Sequence, residues 1–235
     1  MPPENKKRSS PETPHYVGHR KRLKEKFLKS EQSAFSDYEL LELLLFQSTP
    51  RKDVKPLAKK MLQEFGDFNH LINADSTRIL ALDDATESSF LQLKLLRELI
   101  SRIFHSKVKN TNIISSWSAL LDYLKFNMGC LKLEQFRVLF LNKKNMLIAD
   151  EVMATGTIDQ TPVYPREIVK KALFYEAGAI ILVHNHPSGN SNPSNSDIDL
   201  TAQIVNACST INVSVHDHVI IGNGNYYSFK SNLLL

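Results

Sequence analysis

The stretch Ala179-Ile180-Ile181-Leu182-Val183-His184-Asn185-His186-Pro187, followed by Ser194-Asn195-Ser196-Asp197, constrains this chain more than any other part of it. An apolar run of strand length ends in two imidazoles two positions apart. Side chains in a strand alternate with period two, so His184 and His186 project from one face. Proline cannot donate to a ladder and ends the strand at position 187. The Ser-, Asn-, Pro- and Gly-rich segment behind it reads as a loop. Ser194-x-x-Asp197 then opens an apolar-periodic stretch, a helix that brings a carboxylate back toward the two rings. Two His and one Asp offer nitrogen and oxygen donors to one cation. Three such ligands leave a tetrahedral zinc one position for water, the catalytic arrangement, whereas a structural site takes a fourth ligand, usually sulfur.

The same residues also admit a plainer reading. A His-x-His pair on a strand is compatible with two satisfied polar side chains. Ser194-x-x-Asp197 is also a capping box, in which Ser194 caps the helix and the acid three positions on reaches back; capping and ligation are compatible. A second pair, His216 and His218 around Asp217, lies in the strand-like run Val213 to Ile221 with no following proline and no carboxylate at ligand spacing. It reads as a structural or supporting pair, not as ligands.

The first constellation resembles the JAMM (MPN-plus, JAB1) metalloprotease motif, a distant Glu followed by His-x-His-Pro, a short loop and Ser-x-x-Asp. More closely, His184-Asn185-His186-Pro187-Ser188-Gly189 with Pro193-Ser194-x-x-Asp197 is similar to the bacterial RadC family, historically called DNA repair proteins. Further strings of that kind are Tyr164-Pro165-Arg166-Glu167, Gly156-Thr157, Asp217-His218 with Ile220, Gly18-His19-Arg20-x-Arg22-Leu23, and Tyr38-Glu39-Leu40-Leu41-Glu42-Leu43-Leu44. The resemblance covers nearly all of the chain from Gly18 onward.

The resemblance implies that His184, His186 and Asp197 hold Zn2+ and that a Glu outside the motif is the general base. Glu134 precedes the strand-like run Gln135 to Leu141 as the JAMM Glu precedes its strand; Glu151, within the next strand beside Asp150, is the alternative. Ser194 is the family's candidate donor to a developing oxyanion, with simple helix capping as its other reading. Asn185 and Ser188 are candidates to hydrogen-bond behind the ligands. The implied activity is zinc-dependent hydrolysis of an amide or isopeptide bond in a peptide or protein substrate. The alternative is a DNA-repair-associated nucleic-acid-binding protein or metal-dependent nuclease whose metal site is structural or vestigial. The intact ligand set favours the hydrolase. Ser188 and Gly189 also stand where the His-x-His-x-Asp-His series of metallo-β-lactamase-type nucleases needs Asp and His.

Charge bears on the alternative. The net +4 is uneven: through Asn110 there are 20 Lys and Arg against 15 Asp and Glu, and beyond it 9 against 10. Lys6 to Lys29 alone holds nine basic residues and two acids, a cluster able to attract phosphate or to be a solvated tail and helix face. In RadC relatives the helical region ends in a helix-hairpin-helix whose Gly-rich hairpin meets DNA phosphates. Here that position reads Leu82-Asp83-Asp84-Ala85-Thr86-Glu87, with three acids and no glycine, which disfavours close phosphate approach.

No apolar run approaches the roughly 18 residues of a membrane span, and the polar N-terminus is unlike a signal peptide. Cys130 and Cys208 are far apart and form no Cys-x-x-Cys, so reduced thiols in the cytoplasm are expected. Residues 1–16, with four of the ten prolines, read as a disordered basic tail. Residues 17–106 read as a small helical bundle: Ser36 with Glu39 is a capping box, Val54 to Phe65 ends at Gly66, and Phe90 to Phe104 is apolar at helical spacing. Residues 107–235 read as the α/β (α+β) part. Helices are expected at Trp117 to Phe126, from Pro165 to near Gly178, and from about Ser196 to Cys208. Strands are expected at Phe136 to Asn142, Met146 to Thr157, the His run, Val213 to Ile221 and Tyr226 to Lys230. A mixed sheet flanked by helices agrees with the MPN/JAB-type fold of the family.

Overall fold

The computed structural model describes residues 18–29, 31, 34–50, 52–109, 111–156 and 163–235. The tail expected at 1–16, three of the nine basic residues of the Lys6 to Lys29 cluster, and Thr157 lie outside these residues. The chain divides into two compact units at Leu95/Leu96, inside one long helix.

The N-terminal unit is helical: α1 (His19–Lys29), α2 (Asp37–Ser48), α3 (Lys55–Phe65), α4 (Phe68–Ile72), α5 (Ser76–Leu80) and the first part of α6 (Glu87–Lys109). Helix α2 begins where its capping box predicts, with the Ser36 main-chain N–H on Glu39 Oε2 at 3.0 Å. Helix α3 ends at Gly66, whose φ of 86° is open to glycine. Leu41, Leu45, Met61, Leu71 and Leu93 are buried in this unit. Helix α6 starts earlier than its apolar spacing indicates. Thr86 and Ser89 exchange bonds at its N-terminus, Thr86 N–H to Ser89 Oγ at 2.8 Å and Ser89 N–H to Thr86 Oγ1 at 3.2 Å, and such polar residues suit a turn as well as a cap.

The C-terminal unit is the expected mixed α/β domain. After the rest of α6 and α7 (Trp117–Met128) come β1 (Gln135–Leu141), β2 (Leu147–Thr155), α8 (Pro165–Phe174), β3 (Ala179–Asn185), α9 (Asn195–Ser209), β4 (Ser214–Ile221) and β5 (Tyr226–Ser228). The sheet order is β2-β1-β3-β4-β5; only the β3/β4 pair, joined through α9, is parallel. All seven residues of β3 are buried, because it is central and helices cover both faces. Ile181 and Val183 point into a core with Leu120, Leu124 and Met128 of α7. Ile180 and Leu182 point into another with Ile168 and Ala172 of α8 and Ile204 and Cys208 of α9. Each such aliphatic side chain contributes about 1.5–3 kcal/mol on burial, which anchors the strand that carries His184. By the same alternation His184 belongs to the α8/α9 face. Helix α8 stops at Phe174, short of the expected Gly178, where Glu176 turns left-handed at φ 50° and Ala177 N–H returns to the Ala172 carbonyl.

Candidate metal centre

Three elements converge at the C-terminal end of β3. His184 is the penultimate residue of the strand. His186 lies just past it, its main-chain N–H still bonded to the Ile221 carbonyl of β4 at 2.9 Å, so the period-two alternation carries through to it. Asp197 is the third residue of α9, set by the Ser194 cap: the Asp197 N–H meets Ser194 Oγ at 3.2 Å, while the Ser194 N–H and Oγ–H reach Asp197 Oδ2 at 2.8 and 2.7 Å. The box therefore orients the carboxylate as well as starting the helix.

The convergence has the dimensions of a coordination shell. His184 Nε2 and His186 Nε2 are 3.0 Å apart, His184 Nε2 is 3.2 Å from Asp197 Oδ1, and His186 Nε2 is 3.6 Å from Asp197 Oδ2. A tetrahedral cation with ligands at about 2.0–2.1 Å requires donors about 3.3 Å apart. The other nitrogen of each ring is occupied. His186 Nδ1 donates to the Asn190 carbonyl at 2.7 Å, which leaves its Nε2 lone pair for the centre, and His184 Nδ1 faces His218 Nε2 at 2.8 Å. His184 and Asp197 are almost wholly buried and His186 is partly exposed, so the group is open on one side. Among the described residues no fourth His, Cys, Asp or Glu belongs to it. Two imidazole lone pairs and a carboxylate at this range repel one another unless a cation or proton lies between them. Although burial pushes the Asp197 carboxyl up, the His184 and His186 imidazoles beside it hold it well below the usual carboxylate range. His186 is in turn raised by its bond to Asp197. The arrangement can hold a metal ion.

Phe136 is level with His184 across the β1/β3 pair. Extending that register by two residues sets Glu134 level with His186 and on the same face. The Asn185 side chain fixes the register at this point, donating to the Leu133 carbonyl at 3.1 Å and accepting from the Gln135 N–H at 2.9 Å, one bond on either side of Glu134. The Glu134 charge is near enough to contribute to raising His186. Glu151 lies on β2, two strands from β3, with its carboxylate on Lys171 Nζ at 2.8 Å and on the Tyr175 hydroxyl. The Lys171 bond, then that of Tyr175, lowers its pKa. The Ser194 hydroxyl is exposed beside the centre with its proton on Asp197, and Ser188 Oγ accepts the Asn190 N–H at 3.4 Å in the loop that holds His186.

The second His pair separates, because the β3/β4 register shifts between Ile180 and Ile181 and leaves His216 as an extra residue on β4. His216 Nε2 meets Asn145 Oδ1 at 2.7 Å, away from the centre. His218 is wholly buried behind His184, and its Nδ1 meets Thr201 Oγ1 at 2.6 Å. Thr201 escaped the sequence reading, although it stands four residues after Asp197 and so on the same face of α9.

In the helical unit, part of the described basic cluster is spent on structure. Arg20 donates to the carbonyls of Phe46, Thr49 and Lys52 around the end of α2 and stacks on Phe46, and Lys26 pairs with Glu39 at 2.8 Å. At the hairpin position Asp84 adopts the left-handed φ of 66° and pairs with Lys52 at 3.1 Å, while Asp83 pairs with Lys60 at 2.6 Å. No described helix is long and apolar enough to cross a membrane.

Comparison with known families agrees with this division. Residues 114–234 match the family described as RadC-like JAB domain, and residues 16–87 match the one described as UPF0758 N-terminal. A UPF0758 protein of Ruegeria pomeroyi is 49% identical over 219 residues, covering 93% of this chain and 98% of its own length. A UPF0758 protein of Rhodobacter capsulatus is 48% identical over 213 residues, covering 91% of this chain and all of its own. With both of its parts matched and nearly its whole length shared with such relatives, the chain belongs to the RadC-like UPF0758 family.

Proposed function

We propose that this protein is a zinc-dependent hydrolase of amide or isopeptide bonds in a peptide or protein substrate, with His184, His186 and Asp197 as the metal ligands. The observation that carries the reading is the meeting of three lone-pair donors at 3.0–3.6 Å on the open side of a buried strand end. Zinc held there would supply a water acidic enough to ionise near neutral pH and a Lewis acid for the scissile carbonyl. Glu134, level with His186, takes the proton of the attacking water and returns it to the leaving amine. Glu151, held by Lys171 and Tyr175, is not placed for that exchange. Ser194 orients Asp197 through its N–H and its hydroxyl, and the one hydroxyl proton turns from Asp197 to the oxygen on which charge develops while the N–H keeps its hold on Asp197 Oδ2. The nucleic-acid reading draws less support, because Arg20 and Lys26 are engaged within the helical unit and the hairpin position carries three acids and no glycine.

The test has two stages. Elemental analysis of the purified chain gives about one zinc per molecule, and His186→Ala abolishes it. A panel of quenched fluorescent peptides and lysine-linked isopeptides is then cleaved by the wild type, while Glu134→Gln retains zinc and loses cleavage. A wild type that takes up no metal, or a Glu134→Gln variant as active as wild type, defeats the assignment.

A further inference from the structure

The hydrogen bonds behind the three donors run in one direction, and chemistry fixes which. A carbonyl oxygen has no proton, so the Thr201 hydroxyl, 2.5 Å from the main-chain carbonyl of Asp197, must donate to it. Its only proton is then used, and Thr201 Oγ1 can meet His218 Nδ1 at 2.6 Å only as an acceptor. His218 therefore carries hydrogen on Nδ1. The ring lies fully buried between Phe229, at 4.6 Å, and Phe136, at 5.6 Å. The neighbouring carboxylate of Asp217 is turned to other donors, the His218 and Lys230 N–H groups and the Ser228 hydroxyl. A ring in such surroundings is neutral, since an isolated buried charge is costly. Its Nε2 is then a bare lone pair, and at 2.8 Å it takes the proton of His184 Nδ1. A neutral His184 with hydrogen on Nδ1 has a bare Nε2, the atom aimed at the centre.

We propose that His218 and Thr201 are positioning residues of the metal site, which hold His184 in its Nδ1–H tautomer so that Nε2 is ready as a ligand before any cation arrives. The chain of bonds begins on the Asp197 carbonyl and ends on a ring 3.2 Å from the Asp197 carboxylate, so it closes on itself. Strand β3, strand β4 and helix α9 are joined through it, and the two buried ligands are set as a unit. His186 is held separately, through the Asn190 carbonyl. The inference rests on the reading of the triad as a cation site, but not on any hydrolytic activity.

The experiment uses the full chain and zinc alone. In metal-free wild type, imidazole nitrogen NMR shifts show His184 and His218 as Nδ1–H tautomers. Competition with a chromophoric chelator gives the zinc affinity. Thr201→Val, nearly isosteric, removes the acceptor for His218 and frees that ring to change tautomer. It weakens zinc binding about 10- to 100-fold and moves His184 toward the Nε2–H form. Thr201→Ser keeps the hydroxyl and restores both readouts, which a defect of packing alone would not do. Wild-type zinc affinity in Thr201→Val, or a metal-free wild type with hydrogen on His184 Nε2, overturns the proposal. If Thr201→Val does not fold, the wild-type tautomers and the Thr201→Ser affinity still decide it. A wild type with the expected tautomers that binds no zinc overturns the metal reading beneath it, and the two failures are distinct because the shifts are read without metal.

Discussion

Removal of one hydroxyl separates two roles that coincide at the start of α9. Ser194→Ala deletes the acceptor for the Asp197 N–H at 3.2 Å and the donor to Asp197 Oδ2 at 2.7 Å, but keeps the Ser194 N–H on the same oxygen at 2.8 Å. Loss of an N-cap costs about 1 kcal/mol, within a range of about 0.5–2. The second bond is to a carboxylate and in a dry site would add about 1.5–3 kcal/mol. Ser194 is exposed and water replaces it, so the sum stays near 1.5 kcal/mol. For a domain of this size that lowers Tm by about 4–6 °C. Helix α9 survives, because Thr201, Ile204 and Cys208 remain buried against the sheet. The freed Asp197 carboxylate binds zinc about tenfold more weakly, as when an outer partner of a ligand is lost. Thermal melts and chelator competition read both numbers, and Ser194→Thr recovers both. Cleavage at saturating zinc then reports the other role: loss of a hydroxyl that turns to the developing oxyanion costs a further 10²–10³-fold or so in kcat. An alanine variant with wild-type Tm and wild-type zinc affinity would refute the argument that the cap holds the ligand.

Three further outcomes follow from other parts of the structure. A Cβ on Gly222 would stand 2.1 Å from Asn225 Oδ1 and 2.5 Å from the Gly189 carbonyl, so Gly222→Ala pushes on the loop that holds His186. It should cost about 2 kcal/mol and weaken zinc binding with all three ligands intact; an unchanged affinity in the chelator assay contradicts this. Glu39 is held at about 2, against 4.5, by the Lys26 ammonium and then the Ser36 N–H. Since the folded value is the lower one, its contribution is complete above pH 4.5 and fades as pH falls toward 2. The stability difference between wild type and Glu39→Gln, measured by urea titration, should shrink across that window, and a constant difference would refute the sign. Burial pushes the Cys208 thiol up to about 11, so at pH 8 it should resist iodoacetamide in the folded protein and react once urea is added, with mass spectrometry of the labelled peptide as the readout. Labelling of Cys208 in the native state contradicts its burial.

Legibility in the sequence followed the range of the interactions. The elements of the C-terminal unit stand within a few residues of where alternation, Pro165 and the Ser194 box put them, because these signals act between residues at most four apart. Helix α6 was read short because Thr86 and Ser89 cap it with polar side chains that are equally suited to a turn. Helix α1 carries little apolar pattern, burying only Leu23, and Arg20 owes its role to carbonyls 26 to 32 residues away. The absence of glycine at the hairpin position did not prevent the turn, since Asp84 itself adopts the left-handed conformation that Asp and Asn tolerate best.

By itself the sequence determined the set of donors: two imidazoles one strand-repeat apart and a carboxylate three residues past a cap, a pattern of local geometry. Tertiary structure decided how those donors are held. The β1/β3 pairing, with Phe136 against His184, brings Glu134 near enough for its charge to act on His186 across 52 positions, and the parallel β3/β4 pairing sets His218 against His184 across 34. Which His-x-His pair meets Asp197, and that only His218 of the other pair stands behind it, depends on which strands are neighbours and where the β3/β4 register shifts. No local periodicity encodes that, because it is settled only when the two apolar faces of the sheet are buried together.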